Sequence, residues 1–279
     1  MSGAIRAAVI GLGVGQAHLK AWEDEGAEIG FVAALNYGSG NLSECNAASI
    51  ATYDDDHGPR AIDLLKRGMS VMVEKPLCLE WGQLEQIANL TEGRKNAVTC
   101  NFPLRFHSDF VLLKENIVAD PSIYHIEADY EWGRFGKLGG WRGDMPGGYS
   151  VMHGAGSHMV NLAAWLVGSR IDWVFALGKG AMATVVGIFE NGVTFRSNIN
   201  CAFEGQHRHR VVAWRKSGPT KVSNTLSADK GSAVRDFARS LKNDTEPEIT
   251  RQEVLDTSCV LFAAENSMRS RLAEKVAYL

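Results

Sequence analysis

A chain of 279 residues is long enough for two domains, and its 45% hydrophobic and 22% charged residues are those of an ordinary globular protein. A net charge of −3 excludes a general attraction to nucleic acid or anionic membrane, and no run reaches the ~18–20 apolar residues of a membrane span. The five cysteines (Cys45, Cys78, Cys100, Cys201 and Cys259) are scattered with no CxxC pair, so neither a metal site nor a disulfide framework is expected, and free thiols in a reducing, cytoplasmic setting are.

In chain order, Ile5 to Ile10 is a short apolar strand that runs into Gly11-Leu12-Gly13-Val14-Gly15. QAHLKAWEDEG follows with helical spacing and stops at Gly26, and Ile29 to Leu35 is a second strand. Ala47 to Ala51 predicts a strand, HGPRAIDLLKRG a helix closed by Gly68, and Ser70 to Val73 a further strand. A helix around Leu84 to Leu90 and a strand from Ala97 to Cys100 complete the alternation. Strands alternating with helices predict an α/β domain with a parallel, Rossmann-type sheet. Only eleven residues, 36–46, separate the second and third strands, fewer than a helical crossover uses, so this sheet is expected to be abbreviated.

After about Phe106 the texture changes. Strand-like runs lie close together at Tyr124 to Trp132, Trp173 to Leu177, Thr184 to Phe189, Val193 to Ala202 and Arg208 to Trp214, interrupted by one helix, Ser157 to Leu166. Two helices, Ala233 to Leu241 and Arg251 to Arg269, precede a closing strand at Val276 to Leu279. The expected division is a dinucleotide-binding domain over 1–105 and an α+β domain with an open, largely antiparallel sheet over 106–279, the latter for substrate and oligomerisation.

Glycines 11, 13 and 15 after the first strand let backbone amides approach a pyrophosphate, with the helix N-terminus behind them. The spacing is GxGxG rather than GxGxxG, because position 16 is Gln. No acid ends the second strand to hold an adenosine ribose. Asn36 stands there, with no nearby Arg for a 2′-phosphate, so NAD is the expected cofactor and NADP is left open. In VMVEKPLCL, Val71 to Leu79, an apolar strand delivers Glu74, Lys75 and Pro76 at its carboxyl end, where ligands of open parallel sheets bind. Desolvation there would lower a lysine pKa toward the range of proton transfer.

GLGVGQAH at 11–18, IATYDDDH at 50–57, SVMVEKPL at 70–77, NFPLR at 101–105, WR at 141–142, GAGSH at 154–158 and AAENS at 263–267 resemble, in that order, the Gfo/Idh/MocA oxidoreductases. The resemblance spans nearly the whole chain. It implies an NAD(P)-dependent enzyme acting on the hydroxyl or keto carbon of a sugar, cyclitol or sugar-nucleotide, as a homo-oligomer. It implies Lys75 as a catalytic residue at the substrate hydroxyl, with Pro76 after a cis bond, and His158 as the second. The implied cofactor set is Gly11, Gly13, Val14, Gly15, Asn36, Thr52, Asp54, His57, Glu74, Lys75, Pro76 and Asn101, with capping of a helix an equal reading for His57. The implied substrate set is Lys75, Arg105, Trp141, Arg142, Asp144, Tyr149 and His158, with an interdomain ion pair an equal reading for Arg105. Trp132 and Arg134 offer a further aromatic face and cationic fork.

One position departs. The family's Asp four residues before the histidine is Gly154 here, in a YSxxxGxxxH context that resembles a branch of the family with glycine at that place. His153 is not expected to replace the carboxylate, since neighbours on a helix point in different directions. Asp144 or Tyr149 could partner His158 instead. Two other readings follow from the departure: a catalytically silent NAD(P)-binding relative, and a redox-assisted elimination or hydrolysis enzyme on sugars.

Overall fold

The computed structural model describes residues 4–34, 37–139, 150–225 and 228–279. Two compact units divide the chain: Met1–Pro103, Asp229–Leu255 and Leu279 in the first, Leu104–Ala228 and Asp256–Tyr278 in the second.

The first unit is built on β1 (Arg6–Ile10), α1 (Gly15–Asp24), β2 (Glu28–Ala34), β3 (Tyr37–Gly40), β4 (Ala47–Ile50), α2 (Asp54–Lys66), β5 (Ser70–Val73), α3 (Trp81–Thr91) and β6 (Val98–Cys100). Its sheet has the order β3-β2-β1-β4-β5-β6, parallel except for β3. Strands β4, β5 and β6 are buried along their whole length, which is why they read as unbroken apolar runs. The short segment after β2 is resolved by a hairpin: β3 turns back antiparallel on β2, Phe31 opposite Gly40, and a short 3₁₀ turn at Leu42–Glu44 leads to β4. Pairing thus replaces the crossover helix. A single cut after residue 105 does not describe this division, because α6 (Ser232–Asn243) belongs to the first unit. Its Phe237 meets Trp22 of α1 edge-on at 6.0 Å, and Trp22 donates its indole N–H to Ser49 on β4 at 2.8 Å.

The second unit contains α4 (Ser108–Ala119), β7 (Ile123–Glu131), α5 (Ser157–Val167), β8 (Ile171–Lys179), β9 (Met182–Phe189), β10 (Thr194–Asn200), β11 (Arg208–Arg215), β12 (Gly218–Asn224) and β13 (Glu274–Lys275). Helix α7 (Arg251–Ser270) contributes its residues from Asp256 onward. The sheet order is β12-β11-β7-β10-β9-β8-β13, antiparallel throughout except for β7 with β10. Ser267 of the AAENS stretch pins α7 to this sheet by accepting the Ala176 N–H at 2.9 Å. The other face carries an ionic ladder, in which Arg196 and Arg210 both reach Glu127 and Asp129 at 2.6–3.1 Å.

The apolar residues of Val193 to Ala202 are covered within the unit: Phe195 and Ile199 face inward. Exposed apolar side chains lie instead on β8 and β9, at Trp173 (43% exposed), Leu177 (53%) and Val186 (42%).

Candidate functional site: a glycine cradle, a charged corner and a histidine helix

Gly11 turns the chain out of β1 at φ +94°, and a Cβ there would lie 2.2 Å from the Ala51 carbonyl oxygen. Only glycine fits. A Cβ on Gly13, by contrast, would meet nothing within 4 Å, and one on Gly15 would touch Ala51 and Val9 at 3.3–3.4 Å. The three glycines therefore divide the work of a dinucleotide turn: the bend, an open approach for a ligand, and close helix–strand packing. Helix α1 begins at Gly15 with no side-chain cap; the Ala17 N–H is bonded to the Val14 carbonyl at 2.9 Å, and the amides of Gly15 and Gln16 are left to a ligand or solvent. Beside the turn, the buried Thr52 Oγ1 has no hydrogen-bond partner among the described residues. Open approach at Gly13, uncapped amides and a spare hydroxyl fit a pyrophosphate-bearing cofactor. We expect Gly13→Ala to leave the melting temperature unchanged while weakening NADH binding about tenfold, the equivalent of ~1.4 kcal/mol. Gly11→Ala is expected to lower the melting temperature, and calorimetry with fluorescence titration checks both.

At the exit of β5 the backbone holds Glu74 by an N–H to the Ile50 carbonyl at 2.8 Å, and the following Lys75–Pro76 bond is cis. Glu74 is the centre of a buried network. Its Oε1 accepts from Asn101 Nδ2 at 2.6 Å and from His18 Nε2 at 3.1 Å, and Asn101 Nδ2 also donates to the Lys230 carbonyl at 3.0 Å. Burial pushes the Glu74 carboxyl up, but the hydrogen bonds and charges of His18, Lys75 and Asn101 hold it down at about 2. It is a fixed anion beside a half-buried lysine. His18 has no role in the sequence reading, although it stands in the GLGVGQAH stretch. Its only signal is a histidine on the buried face of α1.

The other first-unit candidates fall around this corner. His57 faces two backbone carbonyls, Nδ1 at 2.7 Å from that of Pro76 and Nε2 at 3.3 Å from that of Thr52. It ties the β4 exit to the β5 exit. Asp54 is buried at the start of α2, where the helix dipole favours an acid.

In the second unit His158 lies on the first turn of α5, its ring edge-on to Tyr130 of β7 at 6.1 Å. Tyr130 stacks on His209 of β11 at 4.4 Å. Burial pushes the Tyr130 phenol well above its ordinary value and the His209 imidazole down to about 4, so this wall is uncharged at neutral pH. Arg105 is buried, donates to Asn161 Oδ1 at 2.9 Å and sits 5.7 Å over the Trp165 ring. It fastens α5 from within. Trp132 bonds through its backbone N–H to Asn200, and Arg134 bridges to Glu204. Asn36, Trp141, Arg142, Asp144 and Tyr149 lie outside the described residues. Among the described residues no cluster of His, Cys, Asp and Glu could hold a metal ion, and no helix is long and apolar enough to cross a membrane.

A parallel sheet with a glycine cradle, together with a second, open-sheet unit, defines the class of NAD-binding Rossmann oxidoreductases. Two family profiles place the chain within it: the oxidoreductase family with NAD-binding Rossmann fold over residues 39–102, and the GFO/IDH/MocA C-terminal domain over 122–234. The chain belongs to the Gfo/Idh/MocA family. Among curated proteins it is 28% identical over 131 residues to oxidoreductase cns1 of Cordyceps militaris, a match covering 45% of this chain and 16% of the fungal protein. Among solved structures it is similar to myo-inositol 2-dehydrogenase from Lactobacillus plantarum (TM-score 0.84, 14% identity, 99% of this chain and 100% of that one). It is also similar to the WlbA dehydrogenase from Bordetella pertussis in complex with NADH and UDP-GlcNAcA (0.84, 17%, 99% of each). A third is scyllo-inositol dehydrogenase from Lactobacillus casei with bound NAD(H) and scyllo-inositol (0.81, 14%, 98% and 99%). At these identities the likeness is one of fold.

Proposed function

We propose that this protein is an NAD-dependent dehydrogenase or reductase acting on a CH–OH carbon of a cyclitol, sugar or sugar-nucleotide. The observation that carries the reading is in the first unit: an open glycine cradle at the end of β1 and Lys75 at the end of β5, on the same edge of one parallel sheet. The cradle amides and Thr52 would hold the pyrophosphate, and the nicotinamide would supply hydride acceptance or donation. Lys75, oriented by the fixed Glu74 anion, holds the substrate oxygen. His158 handles the hydroxyl proton, a task to which imidazole is suited.

Titration with NADH and NADPH, followed by absorbance in the reduced-nicotinamide band with cyclitols, free sugars and sugar-nucleotides, tests the reading. Cofactor binding with silence on every polyol would instead support the non-catalytic relative, which the glycine at 154 favours. Product formed without net NADH would support the elimination or hydrolysis route.

We also propose a cytoplasmic homo-oligomer closed through Trp173, Leu177 and Val186 on the open sheet face. Val186→Glu is expected to shift the protein to monomer in light scattering, and a parent that is already monomeric at micromolar concentration would refute the assembly.

A further inference from the structure

The charged corner at the exit of β5 contains a fully buried imidazole to which the reaction above gives no part. His18 stands one turn into α1, on the buried face that it shares with Gly15, Ala21 and Trp22, and its side chain is wholly excluded from solvent. Helical periodicity favours an apolar residue there, and a leucine or phenylalanine would leave nothing to hydrogen-bond. The imidazole costs more. Its Nδ1 is buried without a hydrogen-bond partner among the described residues, and so is the Oδ1 of Asn101 in the same corner. What both side chains gain lies at their other ends, where His18 Nε2 and Asn101 Nδ2 converge on Glu74 Oε1 at 3.1 and 2.6 Å.

The partner atoms fix where the hydrogens are. Asn101 Nδ2 lies within 3.1 Å of Glu74 Oε1, the Lys230 carbonyl oxygen and His18 Nε2. The first two are oxygens that only accept, and the amide has two hydrogens, so both are spent on them. A bare Nε2 would then turn its lone pair on the carboxylate. Nε2 therefore carries a hydrogen, whether the ring is neutral or charged, and donates it to Oε1. Burial pushes the Glu74 carboxyl up; against it the bond and charge of His18 weigh most, ahead of the charge of Lys75 and the bond from Asn101. Helix α1, the exits of β5 and β6 and the segment before α6 thus meet at one carboxylate, and all of them belong to the first unit.

We propose that His18 is a positioning residue for Lys75: its Nε2–H, together with the Asn101 amide, fixes Glu74 at the exit of β5, and the fixed carboxylate holds the neighbouring ammonium in its working orientation. The role rests on the dehydrogenase reading above, in which Lys75 holds the substrate oxygen. A lysine stem is flexible, and its ammonium stays in one place only where something holds it. A carboxylate free to swing would let the ammonium follow, and a displacement of about 1 Å at a reacting centre can cost on the order of 100-fold in rate. Two donors on a single oxygen remove that freedom. His18 also belongs to the helix that starts at the glycine cradle, so the same contact ties that helix to the strand exit carrying Lys75.

Nitrogen-15 imidazole spectra of the full chain, assigned with His18→Gln, are expected to show a hydrogen on Nε2. In steady state with NAD and an accepted polyol, His18→Phe is expected to lower kcat about 30-fold, with KM and NADH affinity within about threefold of the parent. His18→Gln, whose amide can donate from nearly the same place, should bring kcat back to within about threefold. In a Glu74→Gln background His18→Phe should cost less than about twofold further, because its effect runs through the carboxylate. Asn101→Leu removes the other donor to Oε1 and should lower kcat in the same way, which keeps the test decisive if melting curves show the phenylalanine variant unfolded. A bare Nε2, a folded His18→Phe or Asn101→Leu variant within about twofold of the parent kcat, or an undiminished loss in the Glu74→Gln background overturns the proposal alone. A parent that binds NADH yet turns over no polyol overturns the dehydrogenase reading, and this role with it.

Discussion

Replacing Lys75 with methionine is expected to lower kcat/KM about 10³-fold while NADH affinity stays within threefold. Methionine keeps the unbranched stem, so the packing of the β5 exit is conserved and only the ammonium is lost. A positioned proton-handling group contributes ~10²–10⁴-fold, and the ammonium here is asked to hold the substrate oxygen as well. The fixed anion at Glu74 sharpens the expectation, because the lysine stands beside a carboxylate tied down by Asn101 and His18. Steady-state kinetics and cofactor fluorescence separate the two quantities. A methionine variant keeping a tenth of the parent kcat/KM would remove Lys75 from the chemistry. Equal losses in turnover and NADH affinity would place it in cofactor binding only.

The parts of this site legible in the sequence are those whose chemistry is local. A strand buried on both faces, such as Ser70–Val73, has to be apolar throughout, and the residues at its exit announce themselves by contrast. The glycines at 11, 13 and 15 are legible for the same reason, since each answers a demand of the backbone at its own position.

What the sequence hides is long-range. Glu74, His18 and Asn101 meet across 56 and 27 residues of chain, and no spacing rule predicts such a meeting. Glu265 reaches Ser150 across 115 residues. Helix α4 escapes the reading because its apolar residues Phe110 to Leu113 run consecutively. The buried positions Phe110, Leu113 and Ile117 keep helical spacing, but exposed Val111 and Leu112 blur it. Strand β3 escapes because Tyr37-Gly38-Ser39-Gly40 is exposed along its length and is held by backbone pairing rather than by side chains. The π-turn at Met152–Gly156 leaves no periodic signal at all.

Acid should weaken the protein through two separable pH windows. His209 titrates at about 4 when folded and near 6.5 when unfolded, because burial disfavours its charged form. Between those values the unfolded chain binds a proton that the folded chain refuses, so stability falls as pH drops from 6.5 to 4. Glu74 works in a lower window. Its folded carboxyl ionises at about 2 against an ordinary 4.5, so its contribution is complete above 4.5 and is lost as pH falls toward 2. The gap is equivalent to on the order of 3 kcal/mol for a side chain this well buried. Denaturant unfolding across pH should therefore show a first decline that His209→Phe removes and a second that Glu74→Gln makes shallower. The remainder comes from carboxyls such as Glu127, which burial pushes up but Arg210 and Arg196 hold down at about 2. At pH 7 the glutamine variant should be less stable by about 1–3 kcal/mol, since a neutral amide replaces the charge-assisted bonds from Asn101 and His18. If the decline below pH 4.5 is as steep in Glu74→Gln as in the parent, Glu74 contributes nothing to it, and the anion beside Lys75 loses its physical basis.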